Sequence, residues 1–285
     1  MLKAYAKINL GLFVRDRRPD GYHNIESVFH RIDLFDEITF GPAHDITVYS
    51  SAAEVPGDES NLCYRAALLL RQHLRLAAGV AITLVKKIPV GAGLGGGSSD
   101  AAITLQALPR FWGQAVEGPA LRLLALELGS DVPFFLGQGS AVGRGRGELL
   151  DYFHLDIPFT ILLCNPNLHI STAWAYQQIH LDKARPTIDI REVVIKGMKD
   201  PSRLAARLGN DFEPAVFAAH PEIRRVKEAM IDGGAVFALM SGSGSSVYGL
   251  FEGAEEARRV SASFAANGYR TFLTRPHFSP EERGS

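Results

Sequence analysis

One glycine-rich stretch decides the fold, and it reads Pro89-Val90-Gly91-Ala92-Gly93-Leu94-Gly95-Gly96-Gly97-Ser98-Ser99-Asp100. Its five glycines and two serines lie between an apolar run typical of a strand and a run with helical spacing. Because glycine lacks a Cβ atom, this backbone can curl closely around an anion, and the amides of a loop that enters a helix point toward it. The stretch therefore predicts a polyphosphate site.

The glycine spacing alone leaves the kind of phosphate site open. Gly91, Gly93 and Gly96 satisfy the G-x-G-x-x-G dinucleotide fingerprint. The acidic residue expected about 20 positions further on would be Glu117, in a segment where a strand is hard to defend. A Walker loop is excluded more clearly, because Gly97 occupies its lysine position. A flexible loop without a ligand is the remaining alternative.

The composition indicates a globular protein of one large or two small domains. The chain has 285 residues, 46% of them hydrophobic, with a formal net charge of −1 and a pI near 6.8. This balance offers no global field to attract nucleic acid or an anionic membrane, so local donors must hold an anionic ligand. The two cysteines, Cys63 and Cys164, lack disulfide-framework or zinc-site spacing. With no signal-peptide pattern and no long apolar span, we expect a cytoplasmic protein.

Apolar periodicity predicts a first domain that mixes strands and helices. Strands are predicted at 2–14, 25–40, 45–50 and 81–87, and helices at 61–76, 98–108 and 121–128, the last ended by Gly129. Residues 140–149 are predicted to form part of a glycine-rich hairpin.

The pattern restarts after residue 157 and predicts a second domain. Strands are predicted at 159–164, 235–240, 246–251 and 269–274, and helices from near Ser171, at 221–231 and at 255–267. The order strand, helix, strand, strand, helix, strand is typical of a ferredoxin-like fold.

Two charged residues, Lys7 and Asp131, each allow a catalytic or a structural explanation. Lys7 and Asn9 are two residues apart on an apolar strand, so their side chains share one face. A buried lysine there needs a partner, whereas an edge lysine would snorkel to solvent. Asp131, within Gly129-Ser130-Asp131-Val132-Pro133-Phe134-Phe135, is on its own best explained as the N-cap of a short helix.

Two further motifs also allow a structural or a functional explanation. Asp20-Gly21-Tyr22-His23 is either a turn before a strand or a pair of rings that suits a flat heterocycle. Met240-Ser241-Gly242-Ser243-Gly244-Ser245-Ser246 is either a mobile hairpin or a second ligand loop.

Taken in chain order, four motifs resemble those of the GHMP small-molecule kinases. They are Ala6-Lys7-Ile8-Asn9-Leu10, the stretch from Pro89 to Asp100, Gly129-Ser130-Asp131-Val132-Pro133-Phe134-Phe135 and Ser241-Gly242-Ser243-Gly244-Ser245-Ser246. Three features are most similar to members that act on a cytidine diphosphate alcohol in the non-mevalonate route to isoprenoid precursors. These are Asp20-Gly21-Tyr22-His23, the GAGLGGGSSDAA form of the loop, and Asn165-Pro166 leading into Ile170-Ser171-Thr172-Ala173-Trp174-Ala175-Tyr176.

The resemblance implies an α+β, two-domain GHMP kinase fold. Its N-terminal half would be ribosomal-protein-S5-domain-2-like, its C-terminal half ferredoxin-like, and the active site would lie in the cleft between them. The expected domains are an N-terminal ATP-binding domain at 1–152 and a C-terminal domain at 153–285.

The resemblance also implies the reaction, transfer of the γ-phosphate of ATP to an alcohol with Mg²⁺ as the expected metal. By resemblance, Asp131 faces the acceptor hydroxyl, Lys7 sits beside it and offsets developing charge, and Asn9 holds the substrate. The residues that match the family's ATP-binding positions are Asn61, Lys86, Pro89, Gly91, Gly93, Leu94, Gly95, Gly96, Gly97, Ser98 and Ser99. Ser98 is a candidate magnesium contact, with no acidic partner identified.

The expected partner is a small molecule with a cytidine diphosphate handle, with no nucleic acid and no membrane. By resemblance, Tyr22 and Tyr176 sandwich the cytosine while His23 reads its polar edge. The other residues matched to substrate binding are Thr172, Gly242 and Ser243.

Several alternatives stay open at the level of sequence. One is another GHMP kinase, similar to homoserine or mevalonate kinase, which would not need the base clamp. Others are a nicotinamide-dependent oxidoreductase and a nucleotide-binding module without catalysis. The oligomeric state is open between a monomer and a weak homodimer. Arg144 and Arg146 at the hairpin tip either contact a diphosphate or are solvated.

Overall fold

The computed structural model describes residues 1–179, 181 and 188–280, and the chain forms two compact units. The first unit comprises Met1–Ala6, Leu34–Val90 and Gly95–Gln138, and the second comprises Lys7–Asp33, Gly91–Leu94 and Gly139–Ser285. Each unit contains helices and strands, which confirms the predicted α+β class. The division into sequence domains at residues 152 and 153 stays a prediction.

Two long strands open the chain. Strand β1 spans Leu2–Arg17 and pairs with β2, which spans His23–Gly41. In β1 burial alternates at first, with Ala4 and Ala6 buried, and then becomes continuous from Ala6 to Val14. A continuously buried strand is covered on both faces, so polar residues in this part must find partners inside the protein.

In the first unit, β2 is the partner of a strand from the middle of the chain. Its part Glu37–Gly41 pairs antiparallel with β4 (Val80–Val85), and β4 pairs parallel with β3 (Ile46–Ser50). The helices of this unit are α1 (Leu62–His73), α2 (Gly96–Phe111) and α3 (Gly118–Leu128), followed by a 3₁₀ helix at Val132–Leu136. Helix α2 packs against the other three, which places the end of the glycine stretch on a rigid support.

The second unit contains the predicted hairpin and a separate four-stranded sheet. Residues 27–29 of β2 pair with β5 (Ser140–Arg144), which forms an antiparallel hairpin with β6 (Leu149–Phe153). The sheet has the order β10-β7-β9-β8, all antiparallel. Its strands are β7 (Thr160–Asn165), β8 (Phe237–Met240), β9 (Val247–Phe251) and β10 (Arg270–Thr274).

The ferredoxin-like arrangement of this sheet is confirmed. Counted along the chain, its strands have the spatial order 4-1-3-2, and α8 (Pro221–Asp232) and α9 (Ala254–Ala266) supply the two expected helices. The helix predicted from Ser171 is α4 (Thr172–Gln177), capped by the Ser171 hydroxyl, which accepts from Trp174 N at 3.3 Å.

Sequence patterning missed three helices between α4 and α8. They are α5 (Ile190–Gly197), α6 (Ser202–Arg207) and α7 (Glu213–Ala219). Each has eight residues or fewer, too short for a helical period to stand out from its flanks. Across the ranges that the structure describes, no helix is both long and apolar enough to cross a bilayer.

Candidate active site

The glycine stretch has the backbone conformation that its composition predicts. Gly91, Gly93 and Gly95 have φ values of 63°, 78° and 68°, in the left-handed region that residues with a Cβ avoid. Gly95 is the N-cap of α2, which begins at Gly96, two residues before the predicted start at Ser98. The first amides of a helix have no partner within it, so this end of α2 offers N–H groups to an anion.

Within the second unit, a side chain at either of two glycines in residues 91–94 would meet a neighbouring residue. A Cβ atom on Gly91 would lie 2.5 Å from His169 Nδ1, and one on Gly93 would overlap the carbonyl oxygen of Ser241. Gly93 is therefore required by its close approach to backbone as well as by its φ angle. At Gly91 the exposed His169 ring can turn aside, so the φ angle is what favours glycine there.

The same four residues are fixed by hydrogen bonds within the second unit. Lys7 N donates to Leu94 O at 2.9 Å, and Ser241 Oγ donates to Gly93 O at 2.9 Å. The segments 91–94 and 241–246 are thus in contact, and the second is a buried, hydrogen-bonded connection between β8 and β9. Asn210, which sequence reasoning missed, donates through Nδ2 to Met240 O at 2.8 Å and to Gly242 O at 2.7 Å.

Lys7 and Asn9 are buried and hydrogen-bonded to each other, so the snorkelling alternative for Lys7 is wrong. Their exposed fractions are 4% and 1%. Lys7 Nζ donates to Asn9 Oδ1 at 2.7 Å, and Asn9 Nδ2 donates to Ser27 Oγ at 2.7 Å. The Lys7 ammonium also lies 5.2 Å from the centre of the Phe29 ring. Ser27, on β2, was not predicted, because its place depends on strand register.

His23 and Tyr176 meet face to face in the second unit. Their ring centres are 5.0 Å apart at an interplanar angle of 15°, and the Tyr176 ring meets Phe212 edge-on at 4.9 Å. Burial, followed by the charge of Arg17, lowers the pKa of His23, which favours the neutral ring that both donates and accepts. Sequence reasoning missed Phe212, which supports Tyr176 from the side.

Tyr22 is 57% exposed, and the guanidinium carbon of Arg146 lies 4.9 Å from the centre of its ring. Arg144, the other arginine of the hairpin tip, forms an ion pair with Glu26 at 3.3 Å. Both arginines therefore contact other side chains of the second unit. Two other predicted substrate residues, Thr172 and Ser243, are hydrogen-bonded to each other through their hydroxyls at 2.9 Å.

In the first unit, Lys86 lies between two carboxylates. Its side chain is 5% exposed, and its ammonium is bonded to Asp36 and, at 2.6 Å, to Asp100 Oδ2. Burial lowers the pKa of Lys86, but Asp100 and Asp36 outweigh it, so the shift is upward and the ammonium stays charged. Burial raises the pKa of Asp100 to about 7, Lys86 opposes that shift, and Asp36 adds to it.

Asn61 uses both polar groups of its side chain inside the first unit. Its Oδ1 accepts from Cys63 N at 2.8 Å as the N-cap of α1, and its Nδ2 donates to Pro56 O at 2.7 Å. The predicted contact of Asn61 and of Lys86 with a nucleotide stays a prediction.

Asp131 occupies the N-cap position of the 3₁₀ helix Val132–Leu136, as the short-helix interpretation predicts. Its side chain makes no capping hydrogen bond, however, and it is half-buried.

Comparison with known proteins relates the whole chain to one group of kinases. Residues 61–139 match the family model "GHMP kinases N terminal domain", and residues 190–270 match "GHMP kinases C terminal". A 4-diphosphocytidyl-2-C-methyl-D-erythritol kinase from Prosthecochloris aestuarii is 44% identical over 281 residues, which covers 98% of each chain.

Two solved structures are similar to this chain, one in both sequence and fold and the other in fold alone. A crystal structure of 4-(cytidine 5'-diphospho)-2C-methyl-D-erythritol kinase is 36% identical, with a TM-score of 0.80 and coverage of 96% of this chain and 97% of that one. Homoserine kinase from Cytophaga hutchinsonii is 21% identical, with a TM-score of 0.68 and coverage of 96% and 93%, a likeness of fold alone. The chain belongs to the GHMP kinases and, within them, to the family of 4-diphosphocytidyl-2-C-methyl-D-erythritol kinases.

Proposed function

We propose that this chain uses ATP to phosphorylate the 2-hydroxyl of 4-(cytidine 5'-diphospho)-2-C-methyl-D-erythritol in the non-mevalonate route to isoprenoid precursors. The observation that carries the proposal is the 44% identity across 98% of the chain to a kinase named for that substrate. The glycine stretch, the buried Lys7–Asn9 pair and the rings of Tyr22, His23 and Tyr176 agree with the chemistry it requires.

ATP is proposed to bind through its phosphates at the glycine stretch. The N-terminal amides of α2 and its dipole favour an anion there, and Gly91 and Gly97 are exposed, so their backbone is accessible. The remaining predicted ATP residues are proposed to line the same nucleotide site.

Mg²⁺ is the proposed metal, and bound Mg²⁺ would neutralise the charge of the polyphosphate. In the described part of the chain, no group of three or more His, Cys, Asp or Glu residues is placed to hold a metal ion. The hydroxyl of Ser99 is buried without a hydrogen-bond partner, and Ser98 beside it is half-buried. This donor set fits an ion held mainly by phosphate oxygens and water, with the Ser98 hydroxyl as the proposed protein contact.

Asp131 and Lys7 are the proposed catalytic residues. In a loose phosphoryl-transfer transition state the hydroxyl proton leaves late, so a carboxylate that orients the alcohol and then accepts the proton is sufficient. Asp131 is proposed for this role. The Lys7 ammonium is proposed to offset the negative charge that develops on the transferred group, and its bond to Asn9 fixes where that charge lies.

The cytidine end is proposed to bind at the aromatic residues of the second unit. His23 covers one face of the Tyr176 ring and Arg146 covers one face of the Tyr22 ring, so the opposite faces of these two tyrosines are proposed to stack on the base. Neutral His23 can both donate to and accept from the polar edge of the base. Asn9, Thr172, Gly242 and Ser243 are the other proposed substrate contacts.

The test is an assay of the full chain with ATP and Mg²⁺ against three acceptors: the cytidine diphosphate alcohol, homoserine and mevalonate. We expect turnover with the first only. Turnover with homoserine or mevalonate instead would contradict the proposal and favour another GHMP kinase activity.

Replacement of Asp131 tests the catalytic role. We expect Asp131→Asn to lower kcat by roughly 10²–10⁴ while leaving the ATP affinity near that of the parent. Asp45→Asn, an exposed aspartate of the same unit, is the matched control and should leave kcat unchanged. An unchanged kcat in Asp131→Asn would remove this residue from the mechanism.

A further inference from the structure

Asp36 holds the backbone that leads into the glycine stretch. Its Oδ1 accepts from Lys87 N at 2.5 Å and from Ile88 N at 2.9 Å, and its Oδ2 is bonded to the Lys86 ammonium. One carboxylate on β2 thus fixes the three residues, 86–88, that precede Pro89. Asp36 is fully buried, so these bonds are shielded from water.

Asp100 holds the other end of the stretch. It lies in the first turns of α2, and its Oδ2 accepts from Lys86 Nζ at 2.6 Å. A Cβ atom on Gly96 would lie 3.5 Å from Lys86 Nζ and 3.0 Å from Ile88 Cγ2. The residues that enter the stretch and those that leave it are therefore packed against each other, with the Lys86 ammonium joining them.

The charge pattern of these three side chains argues for more than stability. Apolar residues of similar size often serve stability as well as a buried ion network does. Moreover, Asp100 Oδ1 is buried with no hydrogen-bond partner, an arrangement that costs stability. Two carboxylates and one ammonium are instead placed beside the helix end where the phosphates are proposed to bind.

We propose that Asp36, Lys86 and Asp100 form a clamp that fixes the two ends of the glycine stretch, which makes Asp36 and Asp100 positioning residues for ATP. The inference rests on the proposed ATP-binding role of the stretch. These three residues form the Lys86 clamp. The Lys86 clamp would act by keeping the N-terminal amides of α2 at a fixed distance from residues 86–88. Asp36 and Asp100 themselves need not touch the nucleotide.

The test uses two isosteric variants, Asp100→Asn and Asp36→Asn. The first keeps the shape of the side chain but weakens its bond to the ammonium. The second still accepts from Lys87 N and Ile88 N through Oδ1, but it places an NH2 group, which cannot accept, against the Lys86 ammonium, so the bond to Lys86 is lost. Glu37→Gln is the matched control, because Glu37 pairs with the neighbouring Lys87 at 2.6 Å and has no bond to α2.

We expect KM for ATP to rise about tenfold in both clamp variants, because each loses a charge-assisted hydrogen bond that contributes about a factor of ten to affinity. KM for the cytidine substrate and the values for Glu37→Gln should stay within about twofold of the parent. If the clamp had only a structural role, the variants would have a lower melting temperature, and KM for ATP would not rise relative to KM for the cytidine substrate. The inference is overturned if both KM values rise together, or if KM for ATP is unchanged in both variants.

Calorimetric titration with ATP alone separates this inference from the proposed function. If the parent binds ATP but phosphorylates no cytidine substrate, the proposed function fails, and the Kd for ATP of the clamp variants still tests the clamp. If one variant does not fold, the other one gives the same comparison, since both act on Lys86. A Kd for ATP equal to that of the parent in the folded variant overturns the clamp.

Discussion

The Lys86 clamp and the Tyr22–Arg146 pair differ in burial and in how their charges are paired. The clamp is buried, its charges are paired, and it is bonded to the backbone of the first unit. In the second unit Tyr22 is exposed and is covered on one face by the Arg146 guanidinium. Removing a buried partner strands a charge, whereas trimming an exposed ring removes only a contact surface. Changes at the clamp should therefore alter stability as well as ATP binding, and changes at Tyr22 should alter binding alone.

The largest expected effect is on the buried side of this comparison. Lys86→Met leaves two carboxylates buried without their cation, so we expect the free energy of unfolding to fall by about 3–5 kcal/mol. Urea unfolding followed by circular dichroism measures it. Lys87→Met is the matched control, because the side chain of Lys87 is 45% exposed, and it should cost at most about 1 kcal/mol. Equal losses in the two variants would break the comparison.

The buried residue His30 makes the stability of the protein depend on pH. His30 lies against Ser140 with His30 Nδ1 2.8 Å from Ser140 Oγ, and burial, aided by the charge of Arg31, lowers the pKa of His30 to about 4. Between pH 6.5 and 4 the unfolded chain binds a proton at this residue that the folded chain does not. Stability contributed by His30 is thus complete above pH 6.5 and is lost as the pH falls toward 4.

The full loss corresponds to about 3 kcal/mol of unfolding free energy. Urea unfolding at a series of pH values should show this slope in the parent and in His44→Gln, which replaces an exposed histidine. His30→Gln should be less stable at neutral pH and should lack that part of the slope. A slope that survives in His30→Gln would assign the pH dependence to other groups.

What the sequence predicted well depended on neighbours along the chain. The glycine stretch, the shared face of Lys7 and Asn9, and the ferredoxin-like order all follow from local spacing. Asp36 and Ser27 escaped notice because their partners depend on which residues of β2 face β1, β4 and β5. For Asp36, the one signal in the sequence was its position as an acidic residue inside an apolar strand.

The helices α5, α6 and α7 and the bond donor Asn210 were missed for a related reason. Short helices are stabilised by what they pack against more than by their own sequence. The place of Asn210 is set by the carbonyls of Met240 and Gly242, far along the chain. Patterns find elements and motifs, and tertiary contacts decide which polar side chains hold them together.

On the exposed side of the comparison, Tyr22→Ala should weaken binding of the cytidine substrate by about 1–3 kcal/mol, the contribution of one stacked base. ATP affinity and the free energy of unfolding should stay within about 0.5 kcal/mol, since the residue is a surface position. Isothermal calorimetry and urea unfolding measure the two. Tyr49→Ala removes a tyrosine that is 60% exposed and should change neither. Equal loss of ATP and cytidine binding in Tyr22→Ala would contradict a base-specific role.

The smallest expected effect is at Asn61, where a predicted nucleotide residue also supports the fold. Asn61→Ala removes the N-cap of α1 and the bond to Pro56, so unfolding should become easier by about 1 kcal/mol. Asn61→Asp keeps an oxygen for Cys63 N but has no donor for Pro56 O, so it should recover only the capping part of that loss. If Asn61 acts only by holding the start of α1, ATP affinity will recover together with stability in Asn61→Asp. An aspartate that restores stability but leaves ATP binding weak would instead place the Asn61 amide in contact with the nucleotide.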